Sequence, residues 1–341
     1  MTKRFGIIGC GRIAPRHADT LADIPDAELV QVCDVIESRA HAFAEKYGAA
    51  YCLNYHDLLA NPEVDIVNIC TPSGMHAEMT IAALKAGKHV IVEKPMAMNP
   101  ADADRMIAAA KEADRKLCIV LQNRYNPPMQ DFYHAVRDGK IGHILLGSVT
   151  VRWYRPQEYY NDGWHGTKSM DGGALMNQSI HHIDALQWLV GVPVKSVFAY
   201  TATLAHQMEA EDAGVVVVKF ENGALATIEG STVTYPQNLE ASVALFGEKG
   251  SLKVGGTALN RKVFWKIAGE IEHEKELLTR EEVDPPSIYG ASHRHVIEDM
   301  MQAIDENREP QTNGAEGRKS LVLVNAMYES ARTAREVFLS E

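Results

Sequence analysis

Five short apolar runs, Phe5–Gly9, Glu28–Cys33, Ile66–Cys70, His89–Val92 and Leu117–Leu121, recur through the first 122 residues. Helix-like segments with spaced alanines and leucines, such as Met75–Ala86 and Pro100–Ala113, lie between them. A buried parallel strand reads as an unbroken Val/Ile-rich run and reaches its parallel neighbour only through a crossover, usually a helix. The alternation therefore predicts a doubly wound parallel sheet, with a weaker strand near Ala50–Cys52 completing six strands. After Gln122 the runs lengthen and alternate: Leu146–Arg155, Val194–Leu204, Gly214–Phe220, Ala224–Thr232, Leu239–Phe246 and Ser251–Val254. With turn chemistry at Asn222-Gly223 and Lys249-Gly250, that pattern predicts a large, mostly antiparallel open sheet. Helices are expected at about Ala174–Leu189, Gly290–Glu306 and Gly317–Leu339. At 341 residues the α/β chain exceeds one ordinary core. It divides into residues 1–122 and 123–341, with the last helix available to pack back on the first domain.

The bulk properties narrow the function. With 46% apolar and 23% charged residues the chain is an ordinary globular protein. A net charge of -11 disfavours nucleic acid and anionic membrane surfaces as partners. No uninterrupted apolar stretch reaches the ~18 residues a membrane span needs. Met1–Arg4 runs directly into a strand that ends in glycines, unlike a signal peptide. The five cysteines are odd in number and lack CxxC spacing, which fits a reducing cytoplasm.

Gly9-Cys10-Gly11-Arg12-Ile13-Ala14 follows the first strand and opens a helix. Glycines there permit a tight turn and close backbone approach, and the helix N-terminus favours a pyrophosphate. Asp34 closes the second strand, where a carboxylate accepts hydrogen bonds from ribose hydroxyls and repels a 2′-phosphate. The motif predicts a Rossmann domain holding NAD rather than NADP, a preference that nearby Arg39 would soften. Asp34 alternatively reads as a turn residue. Thr71-Pro72 follows the fourth strand at the ligand edge of such a sheet; from there His76 either reaches the cofactor or is solvated.

Two further constellations carry chemistry. Glu93-Lys94-Pro95 closes the fifth strand on the same edge, and Pro95 fixes the chain direction there, a cis bond being one way. The Lys94 ammonium either polarises or deprotonates a substrate oxygen, or is a solvated strand-end charge. In Asp171–Asp184, paired glycines open a helix on which Asn177 and His181 are spaced i, i+4, with Asp184 continuing the face. His181 is then a general base or a hydrogen-bonded helix histidine. A zinc site from His181, His182 and Asp184 is not expected: adjacent histidines diverge around a helix and no HExxH or CxxC spacing accompanies them.

In their order and spacing, Gly9–Ala14, Thr71-Pro72, Glu93-Lys94-Pro95 and the Gly172–Asp184 helix resemble the Gfo/Idh/MocA oxidoreductases over nearly the whole chain. The resemblance implies a Rossmann domain joined to an α/β domain whose open sheet mediates homo-oligomerisation, as dimer or tetramer. It implies Lys94 and His181 as the catalytic pair near the nicotinamide, with Asn177 beside them. Glu93, Asn123 and Trp164 are implied as further cofactor contacts. Many members carry Asp where this chain has Asn177; an amide orients a hydroxyl but does not offset a protonated His181. Either His181 acts alone as base or Lys94 carries more of the proton transfer. A Trp-Arg pair is frequent where this chain has Trp164-His165.

A narrower likeness lies in Asn123-Arg124-Tyr125-Asn126, Arg155–Tyr160, Met176-Asn177-Gln178 and Tyr235–Glu240. These look like the bacterial UDP-N-acetylglucosaminuronate 3-dehydrogenases of surface-polysaccharide synthesis (the WlbA/WbpB group). That resemblance implies oxidation of the sugar C3 hydroxyl to a ketone, with Arg124, Tyr125, Arg155 and Tyr159 in contact with substrate. Another sugar or cyclitol is the nearest alternative, and a non-catalytic dinucleotide-binding sensor a more distant one. Some relatives retain the nucleotide and recycle it with 2-oxoglutarate.

Overall fold

The computed structural model describes residues 2–256, 258–270 and 292–339. The chain forms two compact units, Met1–Leu121 with His293–Arg318, and Gln122–Ser292 with Lys319–Glu341. The division is therefore not a single cut after residue 122: a segment near the C-terminus belongs with the first unit.

The first unit holds strands β1 (Lys3–Ile8), β2 (Ala27–Cys33), β3 (Ala50–Cys52), β4 (Ile66–Ile69), β5 (His89–Val92) and β6 (Leu117–Ile119). They pair in the order β3-β2-β1-β4-β5-β6, every pairing parallel. Helices α1 (Ala14–Ala22), α2 (Glu37–Tyr47), α3 (Tyr55–Ala60), α4 (His76–Lys85) and α5 (Pro100–Ala113) supply the crossovers. Ile66, Val67, Ile69 and Val90–Val92 are wholly buried, as strands covered on both faces must be. Winding reverses between β1 and β4, so the loops leaving their carboxyl ends flank the crevice where such sheets hold ligands.

The second unit contains β7 (Ile144–Arg152), β8 (Val194–Ala202), β9 (Ala213–Phe220), β10 (Leu225–Ser231), β11 (Glu240–Gly247), β12 (Gly250–Gly255), β13 (Arg261–Ile267) and β14 (Val337–Phe338). The order is β13-β12-β11-β7-β10-β9-β8-β14, with β7–β10 parallel and the other pairings antiparallel. Its helices include α6 (Pro127–Arg137) and α7 (Ile180–Val190), the latter lying on β7 and β11. Along β9, Val216, Val218 and Phe220 are buried whereas Val215 and Val217 are exposed. Leu146, Tyr200 and Leu225 are exposed on other strands of the sheet, so its open face mixes apolar residues with the Arg152–Glu229 ion pair.

Glycines on the covered face admit the segment leading into α7. A methyl at Gly214 would lie 2.8 Å from a Leu175 methyl, and one at Gly230 would lie 2.5 Å from Ser179 Oγ. Gly230→Ala should therefore push the 174–179 turn off the sheet and destabilise the unit by about 1–3 kcal/mol. A urea midpoint equal to wild type would mean the turn has room to move.

Several elements differ from those expected. Ala174–Gln178 forms a π-helical turn, and α7 begins only after Ser179, so Ala174–Leu189 is not one continuous helix. Strand β13 was not anticipated. The C-terminal helices are α8 (His293–Asp305) and α9 (Gly314–Thr333); the latter stops six residues before Leu339, and Val337–Phe338 pairs with β8 instead. Gly290, where α8 was expected to start, lies outside the described residues. Among the described residues no helix is long and apolar enough to cross a membrane.

Candidate active site

In the first unit, the cofactor turn is built by close packing and by Asp34. Gly9 has φ of +93°, and a Cβ there would sit 2.8 Å from the Cys70 carbonyl oxygen, so a side chain is excluded. Asp34 accepts from the Cys10 N–H through Oδ2 at 2.9 Å and from the Ile36 N–H through Oδ1 at 2.8 Å. It thus acts as the turn residue that was one of its two readings, and each oxygen keeps a further lone pair. Helix α1 opens at the buried Ala14, with Ile13 at its N-cap, no side-chain cap and no acid in its first turn. A side chain at Gly11 would meet nothing within 4 Å. An uncapped helix N-terminus beside an open glycine face fits a dinucleotide pyrophosphate. Gly9–Ala14 would hold that group; Arg12 is exposed beside it.

Thr71 and Pro72 lead from β4 into a short 3₁₀ turn, Ser73–Met75. His76 is neither solvated nor presented to a ligand. It is buried, with Nδ1 2.8 Å from the Pro95 carbonyl and Nε2 2.9 Å from the Thr71 carbonyl. Burial lowers its pKa, so the ring is neutral and donates its single N–H to one of these two carbonyls while packing against the other. This corrects the expectation of a cofactor contact.

The turn after β5 carries a cis Lys94–Pro95 bond and a half-buried Lys94. Glu93 points inward: Oε1 lies 2.9 Å from His17 Nε2, and Oε2 accepts the Lys94 N–H at 3.2 Å. Burial would raise the Glu93 pKa, but hydrogen bonds and charge from His17 and His293 hold it well below the usual range. His17, which burial alone would lower, is raised by its contacts with Cys70 and with the Glu93 carboxylate. Burial also raises the Cys70 thiol, leaving it neutral at pH 7, so the charge facing His17 is that of Glu93. His17, Glu93 and His293 form a cluster of metal-capable donors among the described residues, different from the histidine set weighed in the sequence.

In the second unit, the Gln122–Tyr125 turn holds a buried Asn123 whose Oδ1 has no hydrogen-bond partner among the described residues. Arg124 does not present its fork to a ligand. Nε and Nη2 reach Asp184 at 2.8 and 2.7 Å in a buried bidentate pair, and the guanidinium lies over Trp188 at 5.5 Å. That corrects both the substrate role of Arg124 and the placing of Asp184 on the catalytic stripe. Tyr125 is half-buried beside it.

Arg155 is arranged differently. Its Nη1 donates to the Tyr154 carbonyl and Asn238 Oδ1, and its Nη2 donates to Gln178 Oε1 at 2.8 Å. Gln178 Nε2 in turn donates to the Tyr159 hydroxyl at 3.1 Å. The guanidinium lies over the Trp153 and Tyr159 rings, at 5.1 and 5.6 Å. It is buried, yet no carboxylate pairs with it among the described residues. Burial and the nearby Asp171 charge push the Tyr159 phenol up, so it stays a neutral donor. Trp164 stacks on His165 with ring centres 3.6 Å apart, and His165 packs on Tyr159 and pairs with Asp162.

Asn177 donates its amide N–H to Asp171 Oδ1, and Asp171 Oδ2 accepts the Gly166 N–H at 2.7 Å. The carboxylate fixes the amide orientation, turning Asn177 Oδ1 away as an acceptor. His181 Nε2 lies 3.4 Å from Gln122 Nε2. The π-helical turn itself hangs on Glu211, which accepts the Leu175 N–H and the Tyr328 hydroxyl, both at 2.9 Å. Burial raises this carboxyl to about 7. Asp171, Gln122, Gln178 and Glu211 were absent from the sequence-based site. Only Asp171 and Gln178 had a local signal, lying inside the motif around Asn177.

A family model described as the oxidoreductase family, NAD-binding Rossmann fold, matches residues 3–121, and one for the Gfo/Idh/MocA C-terminal domain matches 129–253. Myo-inositol 2-dehydrogenase of Thermotoga maritima is 30% identical, with 99% of each chain covered. Among solved structures, the WlbA dehydrogenase of Bordetella pertussis, in complex with NADH and UDP-GlcNAcA, has a TM-score of 0.93 and 41% identity. The likeness covers 100% of this chain and 98% of that one. Its Chromobacterium violaceum counterpart, with the same two ligands, gives 0.91 and 42% over 99% and 96%. These define an NAD-dependent oxidoreductase. The chain belongs to the Gfo/Idh/MocA family.

Proposed function

We propose that the chain oxidises a hydroxyl of an acidic nucleotide sugar to a ketone, with C3 of UDP-N-acetylglucosaminuronate as substrate. The observation that carries the acidic character is Arg155, a buried guanidinium whose protein partners among the described residues are all neutral oxygens. A buried cation without a counter-charge is costly, and a substrate carboxylate would supply that charge through a forked, charge-assisted contact. The full-length likeness to two dehydrogenases solved with UDP-GlcNAcA supports the same substrate.

NAD, when bound, supplies the hydride acceptor. Gly9–Ala14 and Asp34 are its holding residues in this reading, with Thr71, Pro72, Asn123 and Trp164 as further contacts. Lys94 and His181 handle the hydroxyl proton, one as base and the other as a hydrogen-bond donor that steadies the developing alkoxide. Asn177 accepts from a neighbouring substrate hydroxyl through Oδ1, because Asp171 binds its amide nitrogen and so fixes which end of the amide faces away. Tyr159 donates from its neutral phenol. The open face of the second sheet, with exposed Val215, Val217, Leu225 and Tyr200, fits a homo-oligomer interface. Five free cysteines fit a reducing cytoplasm, and surface-polysaccharide sugar synthesis is the process such a product would feed.

Arg155→Leu tests the substrate assignment. Affinity for UDP-N-acetylglucosaminuronate, by titration calorimetry in the presence of NADH, should fall about 10–100-fold. Affinity for UDP-N-acetylglucosamine, which lacks the carboxylate, should change little. Equal losses for both sugars would remove Arg155 from carboxylate recognition.

A further inference from the structure

Three buried side chains in the first unit come from distant parts of the sequence and meet behind the Lys94 turn: His17 on α1, Glu93 at the end of β5 and His293 at the start of α8. His17 Nε2 and Glu93 Oε1 are 2.9 Å apart, His293 Nε2 lies 3.8 Å from the same oxygen, and the two rings meet edge to face at 5.5 Å. The Asn68 side-chain amide lies 3.0 Å from His17 Nδ1, and the protonated ring presents its Nε2–H to Glu93. A tetrahedral zinc ion with bonds of about 2.0–2.2 Å would spread its ligand atoms to about 3.3 Å. The direct His17–Glu93 contact, at 2.9 Å, is shorter than that and has the length of a charge-assisted hydrogen bond.

Resting on the assignment of Lys94 to proton handling, we propose that His17 is a positioning residue for Lys94, acting through Glu93. The carboxylate is a bridge: Oε1 takes the His17 proton and Oε2 takes the Lys94 backbone N–H. His76 packs against the other side of the same turn, with Nδ1 2.8 Å from the Pro95 carbonyl oxygen. Because His17 lies on the helix that leaves the glycine turn, the pair also ties the cofactor-holding segment to the catalytic lysine within one unit.

The charges around the pair keep it formed at neutral pH. Glu93 is depressed and stays ionised through its ordinary range, while His17 is raised. The raised histidine contributes fully below its unfolded pKa of about 6.5 and loses that contribution as pH rises through its higher folded pKa. The other groups facing it are His293, whose pKa burial lowers, and the thiol of Cys70, which is raised and neutral; Arg16 faces His293.

Two readouts that do not depend on substrate identity test this: hydrogen exchange of the Lys94 amide, and the rate at which acetic anhydride labels the Lys94 amine, both read by peptide mass spectrometry. In His17→Ala, Lys94 amide exchange should quicken at least tenfold and its labelling rate should shift, with the NAD dissociation constant within threefold of wild type. His17→Gln, which keeps a donor near the Nε2 position, should restore both. Glu93→Gln should reproduce His17→Ala and serves if that variant does not fold. With UDP-N-acetylglucosaminuronate, kcat of His17→Ala should fall at least tenfold while KM changes less than threefold. Unchanged exchange and labelling at Lys94, or failure of His17→Gln to restore them, would overturn the proposal. So would a stoichiometric metal whose removal speeds Lys94 exchange in the wild type. Full turnover by Lys94→Ala would instead sink the catalytic reading of Lys94 and leave the exchange result standing.

Discussion

Lys94→Ala should bind NAD as tightly as the wild type and lose turnover by about 10²–10⁴-fold, the range that proton transfer by a positioned side chain contributes. The argument is local. Backbone contacts hold the Lys94 turn on both sides: the Glu93 carboxylate accepts its N–H, and His76 meets the Pro95 carbonyl. Removing the amine leaves that scaffold in place, and the glycine turn that binds the dinucleotide is built by other residues. NADH fluorescence titration reads binding, and kcat for the sugar reads the chemistry. Turnover within threefold of wild type would transfer the whole proton-handling role to His181. Weakened NAD binding would instead make Lys94 part of the cofactor site.

Asp184→Ala should cost about 3–5 kcal/mol of stability, because it strands the Arg124 guanidinium in the interior. The pair is buried on both sides, bidentate, and roofed by Trp188. It links the turn at Gln122–Tyr125 to α7, so its loss should loosen Gln122 and His181 together. Replacing both partners, with Arg124→Met and Asp184→Leu, should recover most of the stability, since the desolvation cost disappears with the charges. Urea unfolding followed by tryptophan fluorescence measures both. A loss below 1 kcal/mol for Asp184→Ala would mean that Arg124 reaches water or another acceptor.

What was legible in the sequence was local. The six-strand parallel order follows from uniform Val/Ile runs, and the glycine turn with Asp34 lies within one βαβ segment. Lys94 was marked by its place at a strand end. What escaped depended on partners far along the chain. Arg124 looked like a substrate fork because nothing nearby neutralises it; its carboxylate comes 60 residues later. His76 looked exposed at a loop, and it is buried because Pro95 offers a carbonyl 19 residues away. The helix around Asn177 becomes a π-helical turn under constraints from Glu211, Gly214 and Gly230, none visible in the 3.6-residue spacing of the segment itself. His17 showed no signal, since its meaning depends on Glu93 and on a histidine near the C-terminus.

The central claim is the oxidation of an acidic nucleotide sugar at C3. Purified protein, mixed with NAD and UDP-N-acetylglucosaminuronate, with and without 2-oxoglutarate, should be followed by absorbance at 340 nm and by product mass. The account predicts a product two hydrogens lighter than the substrate, reducible by borodeuteride with the deuterium at C3. If 2-oxoglutarate recycles a retained nucleotide, product accumulates only when it is present, and the absorbance change stays near one equivalent. No ketone under either condition, with turnover instead on a neutral sugar or an inositol, would contradict it.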